Sequence, residues 1–251
     1  MRWLLLTALI TIFLGVSYTI EPRALGGASQ DQNIQASSLQ AALKARPPDF
    51  RAVAGLVKFL DKSYPVFQLN ADQRWPMASL TKLMTAVIAY DNLTVGPKVK
   101  NLVKQIMTAS SNTAAQELSQ ALGEKEFINA MQAKAHELQM FETSYVDPTG
   151  LSFLNQSTMN DLEKLVRYIY KKHPQIFAYS RERGSIHQLA GEPDFLGGKT
   201  GLTDEAGGNL VSLLNHDGRS LLIIVLGAGN NPDDRFIQTK KLYDYVINSG
   251  N

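Results

Sequence analysis

Ser79 and Lys82 are the first pair of side chains in this 251-residue chain whose types and spacing could do chemistry. They lie three positions apart in a segment where Leu80, Leu83 and Val87 recur at the helical period. Residues three apart on a helix are neighbours, so the hydroxyl and the ammonium are expected to lie side by side. A buried lysine binds its proton less tightly and can remove the proton of a nearby serine, which activates that serine as a nucleophile. This one spacing also fits a capped surface helix, so further motifs must decide.

Two further motifs follow in the sequence. Ser110, Ser111 and Asn112 lie in the gap between two predicted helices, and Lys199-Thr200-Gly201 lies on the first strand predicted after the helices. Together with the Ser79–Lys82 motif they resemble the signature of penicillin-recognising serine enzymes, the β-lactamases and penicillin-binding proteins. Within that group the chain resembles the low-molecular-mass D-alanyl-D-alanine carboxypeptidases. The matching segments are residues 76–86, 147–151 and 198–210.

The resemblance implies a set of roles that simple chemistry supports. Ser79 would be the nucleophile, Lys82 its general base, Ser110 a proton relay, and Asn112 a hydrogen-bond partner of the substrate amide. The other implied roles, which bind the substrate, fall to residues of the strand motif. Lys199 would attract a substrate carboxylate and lower the pKa of Lys82, and Thr200 would donate a hydrogen bond to that carboxylate. Gly201 would let the strand approach the substrate backbone closely. The backbone N–H groups of Leu202 and Ser79 would form an oxyanion hole.

The order of predicted elements indicates the fold class. Residues 52–60 and 64–69 read as a β-hairpin, and about 92–175 as an all-helical subdomain. Strands over 195–203, 209–214 and 220–226 follow, with a turn at residues 216–219 and then a terminal amphipathic helix. The pattern predicts an α+β fold in which both chain ends build an antiparallel sheet and the terminal helix packs on it. The resemblance implies the β-lactamase/DD-peptidase-like fold over residues 49–251.

The N-terminal residues are predicted to form an export signal. Arg2 precedes a run of about 18 apolar or weakly polar residues, which is the lower range for a membrane span. Residues 1–20 are therefore predicted to be a signal-anchor or, alternatively, a cleaved signal peptide, and residues 21–48 a linker. Arg2 would stay in the cytoplasm, so the catalytic domain is expected on the outer face of the cytoplasmic membrane of a bacterium, or exported.

Composition excludes several classes of function. The net charge of +2 does not suggest nucleic-acid binding, and the absence of cysteine excludes disulfides, thiolate metal sites and a cysteine nucleophile. The four histidines, at positions 136, 173, 187 and 216, are scattered and are predicted to be surface residues. We therefore expect no metal and no cofactor.

The expected function is removal of the terminal D-Ala from peptidoglycan stem peptides through an acyl-enzyme that β-lactams also form. Alternatives are a β-lactamase or a DD-endopeptidase of the same fold, or a muropeptide and β-lactam binding protein that does not turn over. Three departures from the carboxypeptidase pattern bear on specificity: the stretch between Lys82 and Ser110 is short, Leu202 stands where histidine is frequent, and Thr113 replaces a frequent aspartate.

Overall fold

A five-stranded antiparallel sheet dominates the computed structural model, which describes residues 49–248. The strands are β1 (Ala54–Phe59), β2 (Phe67–Leu69), β5 (Phe195–Thr203), β6 (Gly207–His216) and β7 (Arg219–Leu226). Their spatial order is β2-β1-β7-β6-β5, so the two ends of the chain meet where β1 pairs with β7. The predicted sheet is confirmed. Strand β5, which carries the Lys199 motif, forms one of its two edges.

Helices fill the chain between the two halves of the sheet. They are α1 (Lys82–Asn92), α2 (Pro97–Ala109), α3 (Asn112–Leu122), α4 (Glu124–Glu137), α5 (Met159–Lys172) and α6 (Pro174–Ser180), and the terminal helix is α7 (Asp234–Asn248). A short two-stranded ribbon joins β3 (Trp75–Pro76) to β4 (Gln156–Ser157). The sequence did not indicate this ribbon, because neither strand is longer than two residues.

The sheet has an apolar core on each face because successive side chains of a strand point to opposite sides. In β1, Ala54 and Leu56 belong to the larger core with the helices, whereas Val57 and Phe59 belong to a smaller core that includes Leu242 of α7. The terminal helix therefore packs on the sheet, as predicted.

Helix α1 is the centre of the helical region. Its first eight residues, from Lys82 to Ala89, are all buried, so it is enclosed on every side. Helices that are enclosed in this way have no solvent face, and any polar group on them must find partners inside the protein.

Two local predictions were wrong. Ser79 does not lie in an α-helix, because Ala78–Thr81 forms a 3₁₀ turn and the α-helix begins at Lys82. Ser157, whose hydroxyl and position before an apolar helical pattern predict it as the N-cap of α5, lies in β4, and Thr158 accepts the capping hydrogen bond from the Asp161 N–H instead. Adjacent hydroxyl residues cannot be distinguished as caps by type alone.

The predicted anchor (residues 1–20) and linker (21–48) lie outside the described residues. Within residues 49–248, no helix combines the length and the apolar character that a membrane span requires.

Candidate active site

Ser79 lies in a tight turn between β3 and α1. The preceding residue, Ala78, has a φ of 46°, in the left-handed region that costs free energy for any residue with a Cβ atom. The Met77 N–H donates to the Asn155 carbonyl at 2.9 Å, which fixes the entry to the turn. The strained turn leaves Ser79 partly exposed while both of its neighbours are buried.

Lys82 is the partner of Ser79. Its Nζ atom lies 2.9 Å from Ser79 Oγ and 2.6 Å from the carbonyl oxygen of Thr149, and the residue is 0% exposed. Burial lowers the pKa of Lys82 to about 8, although the nearby charge of Asp147 acts in the opposite direction. About a tenth of the lysine is then neutral at pH 7. The expected depression of the Lys82 pKa is present, and burial is its main cause.

Two glycines hold the turn of Ser79 from different directions. Gly150 has a φ of 82°, and a Cβ atom there would lie 1.9 Å from the Ala78 carbonyl oxygen. A Cβ atom at Gly201 would lie 2.9 Å from the Met77 carbonyl oxygen and 3.2 Å from the Ser79 nitrogen. Gly201 therefore permits the β5 backbone to approach the backbone of the Ser79 turn closely.

The loop that carries Gly150 is organised by one carboxylate. Asp147 accepts hydrogen bonds from the backbone N–H groups of Thr149, Gly150 and Ser152 and from the Thr149 hydroxyl. Burial acts to raise the pKa of Asp147, but these hydrogen bonds outweigh it and lower the pKa below its ordinary value. The ordered loop presents the Thr149 carbonyl to Lys82.

A second serine and lysine face each other across the cleft. Lys199 Nζ lies 2.8 Å from Ser110 Oγ and 2.7 Å from the Thr200 carbonyl, and Lys199 is 1% exposed. Burial, together with the charges of Lys82 and Arg235, lowers the pKa of Lys199 well below its ordinary value. Ser110 ends α2 with a φ of 54°, which turns the chain towards β5.

The structure brings most of the sequence-predicted residues together. Ser79 pairs with Lys82, Ser110 pairs with Lys199, and Thr200 is buried beside Lys199 in β5. Asn112 begins α3 directly after its N-cap. Ser110 hydrogen-bonds Lys199 and not Lys82, so its role as a relay for Lys82 stays a prediction. The oxyanion role of the Leu202 N–H also stays a prediction.

Comparison with known proteins identifies the family. The sequence pattern described as D-alanyl-D-alanine carboxypeptidase matches residues 93–230, more than half of the chain. This chain belongs to the D-alanyl-D-alanine carboxypeptidase family. The match includes Ser110 and Lys199 but begins after Lys82, so the Ser79–Lys82 pair rests on the local pattern and the geometry.

Relatives of this family member carry two different names. The chain is 31% identical over 166 residues to a D-alanyl-D-alanine endopeptidase of Pseudomonas aeruginosa (51% of this chain, 54% of that protein). It is 26% identical over 233 residues to the D-alanyl-D-alanine carboxypeptidase DacF of Bacillus subtilis (74% of this chain, 60% of that protein). The chain thus spans little more than half the length of these curated relatives.

The fold is also that of the family. The structure is similar, with a TM-score of 0.72, to penicillin-binding protein D2 of Listeria monocytogenes in its cefotaxime-bound form. The two sequences are 26% identical, and the similarity covers 81% of this chain and 100% of that chain.

The carboxypeptidase-family site contains residues that sequence reasoning missed. Asn209, fully buried in β6, donates to the Pro76 carbonyl at 2.9 Å and accepts from the Gly227 N–H at 2.9 Å, which ties the turn of Ser79 to the sheet. Arg235 of α7 donates to the Gly201 carbonyl at 3.1 Å. Burial lowers the pKa of Arg235, and its buried Nε atom has no hydrogen-bond partner among the described residues. No short motif contains Arg235, so the sequence offered no signal for it.

The prediction that all four histidines lie on the surface was wrong for His187. This residue is 2% exposed and lies beside β5, behind the lysine motif. The segment before β5 has no regular periodicity, so the burial of His187 could not be predicted from the pattern of residues.

The contact between Gly150 and Ala78 can be tested with a matched pair of glycines. Gly184 also has a positive φ, of 90°, but a Cβ atom there would meet nothing within 4 Å. Gly184→Ala should therefore lower the free energy of unfolding by about 1 kcal/mol, the cost of the left-handed backbone alone. Gly150→Ala should cost at least about 3 kcal/mol in urea unfolding, because it adds a steric clash. Equal costs for the two variants would show that the turn of Ser79 does not depend on this contact.

Proposed function

We propose that this chain is a serine DD-peptidase in which Ser79 attacks the carbonyl of a D-Ala residue in a peptidoglycan stem peptide. The observation that carries the proposal is the 2.9 Å contact between Ser79 Oγ and a fully buried Lys82. Neutral Lys82 takes the hydroxyl proton as the bond to the carbonyl carbon forms. The leaving amine departs with the proton that Lys82 took from Ser79. Water then cleaves the acyl–Ser79 ester bond, which gives the acid product and restores the Ser79 hydroxyl.

The cations of the cleft support recognition of a carboxylate on the leaving group. Lys199 belongs to β5 and Arg235 donates to the β5 backbone at Gly201, and the hydrogen bonds of both cations end on neutral oxygens. An incoming carboxylate would restore the proton affinity that burial has removed from Lys199. A terminal D-Ala carries such a carboxylate, so we assign carboxypeptidase action on pentapeptides first. β-Lactams, which also bear a carboxylate, would acylate the same serine.

DD-endopeptidase action on cross-linked peptides is the second candidate. It is favoured by the name of the Pseudomonas relative, which is more identical to this chain than the Bacillus carboxypeptidase is. The short stretch between Lys82 and Ser110, which contains only α1, a brief connection and α2, also suits a larger leaving group. Both substrates are found in the bacterial cell envelope, which we infer to be the place of action.

Covalent labelling tests the nucleophile. A fluorescent penicillin should label the wild-type chain, and Ser79→Ala should abolish labelling because no acyl-enzyme can form. Ser111→Ala is the control, since Ser111 caps α3 through the Ala114 N–H and is expected to cost about 1 kcal/mol of stability without loss of labelling. Labelling that persists in Ser79→Ala would exclude Ser79 as the nucleophile.

The pH profile of acylation separates the two lysines. Because Lys82 acts only when neutral and has a pKa of about 8, the rate should rise about tenfold per pH unit below pH 8 and then level off. Lys82→Arg should slow acylation at least about a hundredfold, because the guanidinium cannot accept a proton. Lys199→Arg should keep a substantial part of the activity. A near-normal rate in Lys82→Arg, with an inactive Lys199→Arg, would place the base on β5.

Product analysis distinguishes the two candidate activities. Mass spectrometry after incubation with a monomeric pentapeptide muropeptide should show loss of one alanine if the chain is a carboxypeptidase. Incubation with a cross-linked dimer should yield monomers if it is an endopeptidase. Intact substrates in both reactions, despite labelling by penicillin, would instead indicate a binding protein that does not turn over.

A further inference from the structure

The side chain of His187 occupies an interior site next to the lysine motif. The ring stacks on Phe195 at a centroid distance of 4.2 Å and meets the edge of Phe236 of α7 at 5.5 Å. Its Nδ1 atom accepts from the Leu189 N–H at 3.3 Å, so we place the ring proton on Nε2, which lies 3.4 Å from Ser212 Oγ. The ring is thus fixed by β5, β6, α7 and its own loop.

The imidazole fills space that a glycine leaves open. A Cβ atom at Gly198 would clash with the Val211 carbonyl oxygen of β6 and would also lie 2.8 Å from His187 Nε2. A Cβ atom at the preceding Gly197 would lie 2.5 Å from the Phe177 side chain of α6. The Gly198 N–H also donates to Ser180 Oγ at 2.9 Å. The two residues before Lys199 are therefore held by α6, by the β6 backbone and by His187.

The electrostatics require this ring to be neutral. Burial lowers the pKa of His187 to about 3, and the charges of Lys199 and Arg235 lower it further, while a hydrogen bond with the Val211 backbone acts against them. A neutral ring adds no third charge behind two cations that already repel each other. The neutral His187 ring can therefore lie close to Lys199 without weakening the attraction of the Lys199 ammonium for an anion.

We propose that His187 is a positioning residue for Lys199, which holds Gly198 so that the Lys199 ammonium reaches Ser110 and the leaving-group carboxylate. This inference rests on the proposed DD-peptidase function. His187 touches neither the substrate nor the reacting atoms, and acts only through the β5 backbone.

The test compares two peptides on the full chain, one ending in D-Ala-D-Ala and the same peptide ending in D-Ala-D-alaninamide. The ratio of kcat/KM for the acid to that for the amide reports carboxylate recognition. His187→Ala should lower this ratio about tenfold, mainly through KM for the acid, because a misplaced cation weakens binding of the carboxylate. His187→Gln, whose amide can reach the position of Nε2, should restore most of the ratio.

Controls separate positioning from general stability. His216→Ala removes a histidine of β6 whose ring contacts Phe59 and Tyr243, five residues along the strand from Val211 or about 17 Å, and should leave the ratio unchanged. If His187→Ala does not fold, Ser212→Ala, which removes the partner of Nε2, should still lower the ratio. An unchanged ratio in the folded His187 or Ser212 variants would overturn the positioning role alone. A wild-type chain that hydrolyses neither peptide would overturn the proposed function as well.

Discussion

The burial of two lysines in one cleft is the constraint on which the rest of the structure depends. Lys82 and Lys199 are 0% and 1% exposed, and within residues 49–248 each hydrogen-bonds only a serine hydroxyl and a backbone carbonyl. Neutral oxygens compensate the loss of water only in part, so the proton affinity of both lysines falls. A lysine that acts as a base needs this lower proton affinity, because it must be neutral to accept a proton. A lysine that binds a carboxylate recovers its proton affinity when the ligand arrives.

Such a site needs a backbone that cannot relax around the buried charges. The turn of Ser79 is held between Gly150 and Gly201 and is tied to the sheet through Asn209. Lys199 is held from behind by α6 and His187. Serine and lysine side chains can rotate, so they keep hydrogen-bond distances only if their backbones are held in place. The short contacts in this site therefore depend on the fixed positions of the Ser79 turn and of β5.

The sequence predicted the parts of this arrangement that short-range patterns encode. Three motifs in order indicated Ser79, Lys82, Ser110 and Lys199, and two-residue periodicity with a clear turn indicated β6 and β7. Contacts between distant segments carried no such signal. The burial of His187 and the approach of Arg235 to Gly201 depend on how α7 packs against β5, and tertiary packing of this kind leaves no periodicity in either segment.

The role of Asp147 bears on the choice between a peptidase and a β-lactamase. A β-lactamase of this fold needs a carboxylate that activates water to release the acyl group. In this sequence Asp147 lies at the corresponding place. In the structure that carboxylate accepts four hydrogen bonds from its own loop and a fifth from Asn155 at 3.2 Å. These donors lower its pKa, so it binds a proton weakly and has little capacity left for a water molecule. Asp147 therefore serves better as the scaffold that presents the Thr149 carbonyl to Lys82, which favours a peptidase over a β-lactamase.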